Sequence, residues 1–438
     1  MFPRNRIVTF VVSWLLLSSS LRTFAQTAAP GTKLPAPTPL AGPGKPVDWL
    51  FIFKFNAATF PGCGGRDPKI DSPGIFGGTV QDYKTKHSQQ YVFATSKNPK
   101  LVKGAGCLGA TLDDPLGATF GQIYNTRGYH YVVWNDQFDN NPIESKDSPA
   151  GHSKGMVAWN DDGEGLVLQV STPSWPGSAS KGHPRPVDGN TLGCVDDDDI
   201  EVSQHFFALK LSKSDLVAVL QGLANASIVT SVQRPEIVQN GGPASVQALV
   251  NKLGPESPST NCTIAKLSSG VQLISKPSKM AAPPWQVVSA RLDGLPLRVA
   301  SWWATPMIYS TDAKTKIEAW PTEVGSPGAV AIALSGNWDG KAIGLKGGDS
   351  PDRNHAKVGI STDKSKPFCI FGDMNQQGAL RTGYAHVGQP MTSSQNGRGG
   401  TFYVLKDQDL FDSLTDLLKG DTAPENLPNG EEKPRGQR

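Results

Sequence analysis

Gly151-His152-Ser153-Lys154-Gly155 opens into Met156-Val-Ala-Trp159, and Asn354-His355-Ala356-Lys357-Val358 runs into Gly359-Ile360. Each segment holds His-x-Lys with a small middle residue. Each is followed by a second apolar run, Gly165-Leu-Val-Leu-Gln-Val170 and Pro367-Phe-Cys-Ile-Phe371. In extended chain, residues two apart face the same side, so each imidazole is set beside an ammonium. Lysine grips a phosphate oxygen as a point charge, and histidine can serve as nucleophile, acid or base near neutral pH. One such motif carries little, because a solvated strand end explains it equally well. Two copies point to two half-sites closing on one phosphodiester, one His attacking in line while the other protonates the leaving oxygen. The chain then divides into two similar halves, 46–235 and 236–420, with the active site between them.

The surrounding pattern suits such halves. Val47-Asp-Trp-Leu-Phe-Ile-Phe-Lys-Phe55 and Tyr129-His-Tyr-Val-Val-Trp134 are dense in aromatic and β-branched residues and read as strands. Arg298–Trp303, Gly328–Leu334 and Ala356–Ile360 read the same way in the second half. Ser214 is placed to cap a helix over Asp215–Ala224, with Leu216, Val217, Leu220 and Leu223 on one face. A last helix over Gln408–Lys419 carries Leu410, Phe411, Leu414, Leu417 and Leu418 at helical spacing, and Gly420 stops it. Strands dominate and helices are few, which favours a layered α/β or α+β fold.

Of the 438 residues, 38% are hydrophobic and 18% charged, with 47 Gly and 35 Pro. That excludes a disordered chain and suits a loop-rich globular protein with sheets. The formal charge is only +3, and Arg4, Arg6 and Arg22 lie in the N-terminal segment. No global field draws the chain to nucleic acid or membrane at neutral pH, so an anionic substrate needs a local site. The apolar run Ile7–Leu17 after Arg4 and Arg6, with Thr23-Phe-Ala25 as a cleavage site, reads as a signal peptide over 1–25. A Pro/Ala-rich linker follows over 26–45, and 421–438 reads as a disordered tail. The mature chain is expected to be exported, to medium or periplasm, with no membrane association after cleavage.

Five cysteines stand at 63, 107, 194, 262 and 369. An export route permits disulfides, and Cys63 with Cys107 is the pairing suggested by their Gly-rich loops. They show no metal-type spacing, so neither a metal nor another cofactor is expected. Asn225-Ala-Ser227 and Asn261-Cys-Thr263 are glycosylation sequons in a eukaryotic host.

Phe371-Gly372-Asp373-Met374-Asn375 places an amide side chain, Asn375, near the second motif. Val170-Ser171-Thr172-Pro173-Ser174 occupies the corresponding place after the first, with Ser171 and Ser174 as weaker phosphate donors. Duplicated His-x-Lys half-sites with such turns resemble the phospholipase D superfamily. Over Val47–Leu418 the chain resembles, more closely, deoxyribonuclease II. The matching stretches are Val47-Asp-Trp49, Trp134-Asn-Asp-Gln137, Gly151–Gly155, Ser171-Thr-Pro-Ser-Trp-Pro176 and Gly189-Asn-Thr-Leu-Gly-Cys-Val195. In the second half they are Asn354–Lys357, Gly372–Asn375 and Gly397-Arg-Gly-Gly-Thr401.

The resemblance implies a phospholipase D-like fold of two mixed-sheet halves flanked by helices. It implies an endonuclease active at acid pH without a divalent metal, leaving 3′-phosphate and 5′-hydroxyl ends on DNA. His152 and His355 would be the catalytic pair, with Lys154, Lys357 and Asn375 on the phosphate, and a phosphohistidine at one of the two rings. In an animal host it would imply the lysosome. The superfamily's Asp five residues after the Lys is replaced here by Trp159 and Thr362, as in deoxyribonuclease II, leaving the partners that orient each His to be found. No Cys precedes Cys63, and Phe402-Tyr403 stands where another is expected, so Cys369 is expected to be free. A phosphodiesterase acting on lipid head groups and an inactive polyanion-binding protein are the competing readings. Asp196-Asp-Asp-Asp199 lacks the alternating spacing of a calcium loop, and the remaining histidines and tryptophans read as structural or exposed.

Overall fold

The computed structural model describes residues 33–63, 88–109, 112–124, 126–138, 143–144, 146–173, 177–178, 192–193, 201–235, 237–315, 317, 320, 322–380 and 395–425. The expected signal peptide, Ser174, Cys194, the acidic run 196–199 and most of the tail lie outside them.

The first half supplies strands β1 (Trp49–Lys54), β2 (Tyr91–Thr95), β3 (Asn98–Lys103), β4 (His130–Asn135), β5 (Lys154–Trp159) and β6 (Gly165–Val170). After the two-residue strands β7 (Gly177–Ser178) and β8 (Leu192–Gly193) come β9 (Gln204–Leu211) and β10 (Val238–Gln239). The second half supplies β11 (Thr263–Lys266), β12 (Gln272–Lys276), β13 (Leu297–Ala300), β14 (Val330–Ile332), β15 (Ser335–Trp338), β16 (Lys341–Gly344), β17 (Val358–Ser361), β18 (Phe368–Gly372) and β19 (Gly400–Lys406). Helices are α1 (Pro115–Tyr124), α2 (Lys213–Asn225), α3 (Ala244–Val250), α4 (Pro284–Arg291) and α5 (Gln408–Leu417).

Two sheets result. One has eight strands in the order β10-β4-β5-β6-β9-β1-β2-β3, the other seven in the order β11-β12-β19-β18-β17-β13-β14. The expected mixture of sheets and few helices is present. The larger sheet is antiparallel throughout, and the smaller has one parallel pair, β13 with β14. β5 and β6 are buried along their whole length, as suits central strands made of Met, Val, Leu and Trp.

The sheets share one core. Phe371 of β18 stacks on Phe51 of β1 at 4.7 Å and on Phe207 of β9 at 4.4 Å, so ring surface seals one half to the other. Leu216, Val219, Leu220 and Leu223 of α2 are buried, while Val217 stays partly exposed. Ser212, rather than Ser214, caps this helix. Its hydroxyl accepts from the Asp215 amide while the Asp215 carboxylate accepts from the Ser212 amide, a reciprocal box that fixes the start two residues earlier than expected. In α5 the five apolar positions read from the sequence are all buried, beneath an Asp407 cap. Cys63 and Cys107 form a disulfide, and Cys369 is a free, buried thiol. Among the described residues no helix is long and apolar enough to cross a membrane.

Candidate active site

His152 precedes β5 and His355 precedes β17, the equivalent strands of the two sheets. Although more than two hundred residues apart, both rings line one cleft of about 390 Å³, together with Lys357, Asn375 and Ser171. Asp136, Gln395, Arg398 and Trp302 complete most of the remaining wall. Each His is only slightly exposed, 8% and 7%, so both rings are largely packed.

The backbone holds the pair by crossed bonds. The His152 amide donates to the Gly399 carbonyl at 2.8 Å, and the His355 amide donates to the Ser203 carbonyl at 2.8 Å. Gly399 immediately precedes β19, and Ser203 immediately precedes β9. Each half therefore seats the other half's histidine. Two glycines permit this closeness on the His152 side: a Cβ on Gly151 would lie 2.4 Å from the Ala226 carbonyl, and one on Gly399 would lie 2.1 Å from it.

The rings are fixed differently. His152 Nδ1 lies 2.8 Å from the Asp373 carbonyl oxygen. A carbonyl only accepts, so Nδ1 carries the proton and Nε2 keeps the lone pair in the neutral ring. The Asp373 carboxylate, at the end of β18, accepts from the Ser153 hydroxyl at 2.7 Å, the Thr401 amide at 2.9 Å and the Thr401 hydroxyl at 2.6 Å. Asp373 is the orienting partner missing from the motif, and it comes from the opposite half. His355 packs edge-on against Trp302, centroids 4.1 Å apart, and its Nε2 lies 3.7 Å from the exposed Asp349 carboxylate. His205 accepts the Lys357 amide on Nδ1 at 3.1 Å, bracing the second motif from β9.

Lys154 is placed differently from Lys357. Its Nζ lies 2.6 Å from Oδ1 of Asp136, a residue of the cleft wall, with both side chains buried. Arg398 Nη2 reaches the other Asp136 oxygen at 3.0 Å, and also the Gly151 carbonyl at 2.9 Å. Burial alone would raise the Asp136 carboxyl, but Lys154, His152 and Arg398 outweigh it and hold the group well below the usual carboxylate range. Burial pushes His152 well below the usual imidazole value, with Lys154, Arg398 and Lys357 adding repulsion against the pull of Asp136. His355 is lowered to about 3, chiefly by burial and then by Lys357 and Lys154, with Asp349 opposing. Asp373 is raised to about 6 by burial, against the hydrogen bonds it accepts.

The Ser171 hydroxyl lies in the cleft wall but donates to Gln204 Oε1 at 2.6 Å and accepts the His205 amide at 2.9 Å. Asn375 Nδ2 donates to Gln377 Oε1 at 2.9 Å. Asp136 and Arg398 sit inside stretches that carry the family resemblance, Trp134–Gln137 and Gly397–Thr401, yet sequence spacing gave neither a role. Trp302, Asp349 and His205 reach the site only through the tertiary fold. Among the described residues, no group of three or more His, Cys, Asp or Glu is arranged to hold a metal ion.

Two buried histidines in one polar cleft, each backed by a lysine of its own motif, are the geometry expected of a duplicated phosphodiesterase site. Residues 39–419 match the family model described as Deoxyribonuclease II. The chain belongs to the deoxyribonuclease II family. It is accordingly a hydrolase of the nuclease class. It is similar to cell-death-related nuclease 7 of Caenorhabditis elegans, 23% identical over 84% of this chain and 83% of that protein. A Burkholderia thailandensis protein named for deoxyribonuclease-2 is 24% identical over 85% of this chain and 90% of its own. Deoxyribonuclease-2-alpha of Rattus norvegicus matches over a shorter region, 26% identical over 34% of this chain and 37% of its own. The family match spans both His-x-Lys motifs and both residues, Ser203 and Gly399, whose carbonyls seat them.

Proposed function

We propose that this deoxyribonuclease is an endonuclease active at acid pH that needs no divalent metal and leaves 3′-phosphate and 5′-hydroxyl ends on DNA. The observation that carries the reading is the convergence of His152 and His355, from opposite halves, on one cleft with Lys357 and Arg398 in its wall. With Nδ1–H held by the Asp373 carbonyl, His152 presents Nε2 as the nucleophile. Nε2 forms a bond to phosphorus as the bond from phosphorus to the 5′ oxygen breaks. His355, whose proton is held by Asp349 together with the negative charge of the bound phosphate, gives it to that oxygen. Water then attacks the phosphohistidine and loses its proton to His355, and the phosphorus–nitrogen bond breaks to release the 3′-phosphate.

Lys357 and Asn375 supply charge and an amide to the phosphate oxygens, with Ser174 as a lesser donor and Ser171 joining only if its hydroxyl turns from Gln204. Lys154 acts through Asp136 and adds positive potential. The acid optimum follows from the two rings: both are neutral well into the acid range, and the mechanism needs one of them charged. The N-terminal layout supports export, placing the nuclease in the medium, the periplasm or, in an animal, the lysosome.

Supercoiled plasmid incubated at pH 5 in EDTA is expected to be nicked and then cut, with phosphatase-sensitive 3′ ends. A strict Mg²⁺ requirement, or release of head groups from phospholipid vesicles without any cleavage of DNA, would overturn the assignment.

A further inference from the structure

Two lysines outside the His-x-Lys motifs occupy equivalent places in the two halves. Lys54 is the last residue of β1 and pairs across the ladder with Gln204, the first residue of β9. Lys276 is the last residue of β12 and pairs with Gly400, the first residue of β19. Both side chains are completely buried. Lys54 Nζ donates to the Val202 carbonyl at 2.6 Å and the Ser88 carbonyl at 3.2 Å. Lys276 Nζ donates to the Arg398 and Asn396 carbonyls, each at 2.8 Å.

The next carbonyl along each segment is the one that seats a histidine. Val202 precedes Ser203, which receives the His355 amide, and Arg398 precedes Gly399, which receives the His152 amide. We infer that Lys54 and Lys276 are positioning residues for the nuclease reaction, each pinning the peptide that aims the imidazole belonging to the other half. The inference rests on the paired-histidine reading of the cleft.

The physical case is one of reach and valence. The carbonyls of Val202 and Arg398 lie just outside the strand ladders, and buried backbone oxygens need donors. An ammonium has three donors, no acceptor and a long stem, so one lysine at the strand end can hold two peptides at once. The link is doubled on the His152 side. There Lys276 holds the Arg398 main chain, while the Arg398 guanidinium donates to the Ala150 and Gly151 carbonyls just ahead of His152. In-line attack at phosphorus tolerates little slack, since displacement by about 1 Å can cost on the order of 100-fold in rate.

The test uses the full chain with Lys276→Met, which keeps the stem and removes the donors, Lys276→Gln, which restores a donor, and Lys54→Met. Folding is read by near-UV circular dichroism and thermal melting. Steady-state kinetics follow on a labelled oligonucleotide at pH 5, with His152→Ala alongside. Lys276→Met is expected to fold, to keep KM within about twofold and to lose about 10- to 100-fold in kcat. Lys276→Gln should recover part of the loss, and Lys54→Met should act in the same direction. A folded Lys276→Met chain with kcat within about twofold of the parent would overturn the inference. So would failure of all three substituted chains to fold, which would reduce the lysines to structural supports. Full activity in His152→Ala would instead locate the failure in the paired-histidine reading itself.

Discussion

The imidazole Nδ1 of His152, in the first half of the chain, rests 2.8 Å from the carbonyl oxygen of Asp373, in the second. The contact settles which ring nitrogen carries the proton in the neutral imidazole, and it makes one half the orienting partner of the other. The Asp373 carboxylate extends the same contact, gathering the Ser153 hydroxyl and both Thr401 donors on one oxygen. A single residue therefore ties the first motif, β18 and β19 together.

Replacing that carboxylate tests the tie. Asp373→Ala leaves the Ser153 and Thr401 donors unmet in a buried place, at a cost of about 1 to 3 kcal/mol for each group left unsatisfied. Asp373→Asn keeps an accepting oxygen and should lose less. Urea unfolding at neutral pH should rank the chains as parent, Asn, Ala, with cleavage rates in the same order. An Ala variant as stable and as fast as the parent would show that this network does not orient His152.

The Asp136 cluster makes a different prediction. Asp136 is buried between Lys154 and Arg398, so Asp136→Ala leaves two buried cations without their shared carboxylate. Breaking a buried pair from one side costs about 3 to 5 kcal/mol, because the remaining charge is not neutralised. The urea midpoint should fall accordingly, and cleavage at pH 5 should drop with it. A midpoint unchanged by the substitution would mean that water enters and solvates the two cations.

Activity and stability should respond to pH in opposite directions. His205 and His355 are both lowered to about 3, and His152 lies well below the ordinary imidazole value of 6.5. For these groups the unfolded chain binds protons more readily, so their contribution to stability is complete above about pH 6.5 and is lost as pH falls toward 3. Asp373, raised from 3.8 to about 6, works the other way between those two values and offsets part of the loss. Asp136, held down, adds stability that is lost only below its ordinary value of 3.8. Urea midpoints are expected to decline from pH 7 to pH 4.5 while kcat/KM for DNA rises over the same interval. A nuclease whose activity peaks at neutral pH would remove the need for a protonated imidazole.

Much of this arrangement was legible in the chain, and the rest was hidden for identifiable reasons. The His-x-Lys pair stood out because it is short, local and repeated, and β5 and β6 because Met156–Trp159 and Leu166–Leu168 are unbroken apolar runs of the kind that mark central strands. The start of α2 was misplaced by two residues because Ser212 and Ser214 compete for one cap, and only the Asp215 carboxylate decides between them. β9 and β19 were not singled out as strands, although Phe206–Leu209 and Phe402–Leu405 are apolar runs as unbroken as that of β5. The carbonyls just ahead of them, of Ser203 and Gly399, nevertheless seat both histidines. Asp373 escaped because it acts across the two halves, and no periodicity records a contact between residues more than two hundred positions apart. Lys154 was expected on the phosphate. Its engagement with Asp136 depends on β4 lying beside β5, which spacing alone does not reveal.

The account turns on covalent attack by one imidazole and proton delivery by the other. An oligonucleotide with one radiolabelled phosphodiester, mixed with the enzyme at pH 5 in EDTA and quenched in alkali, tests this directly. Label is expected on the peptide that contains His152, no label in His152→Ala, and slower labelling in His355→Ala, which lacks the acid for the first step. Cleavage that survives in both variants, with no labelled peptide in any of the three chains, would contradict it.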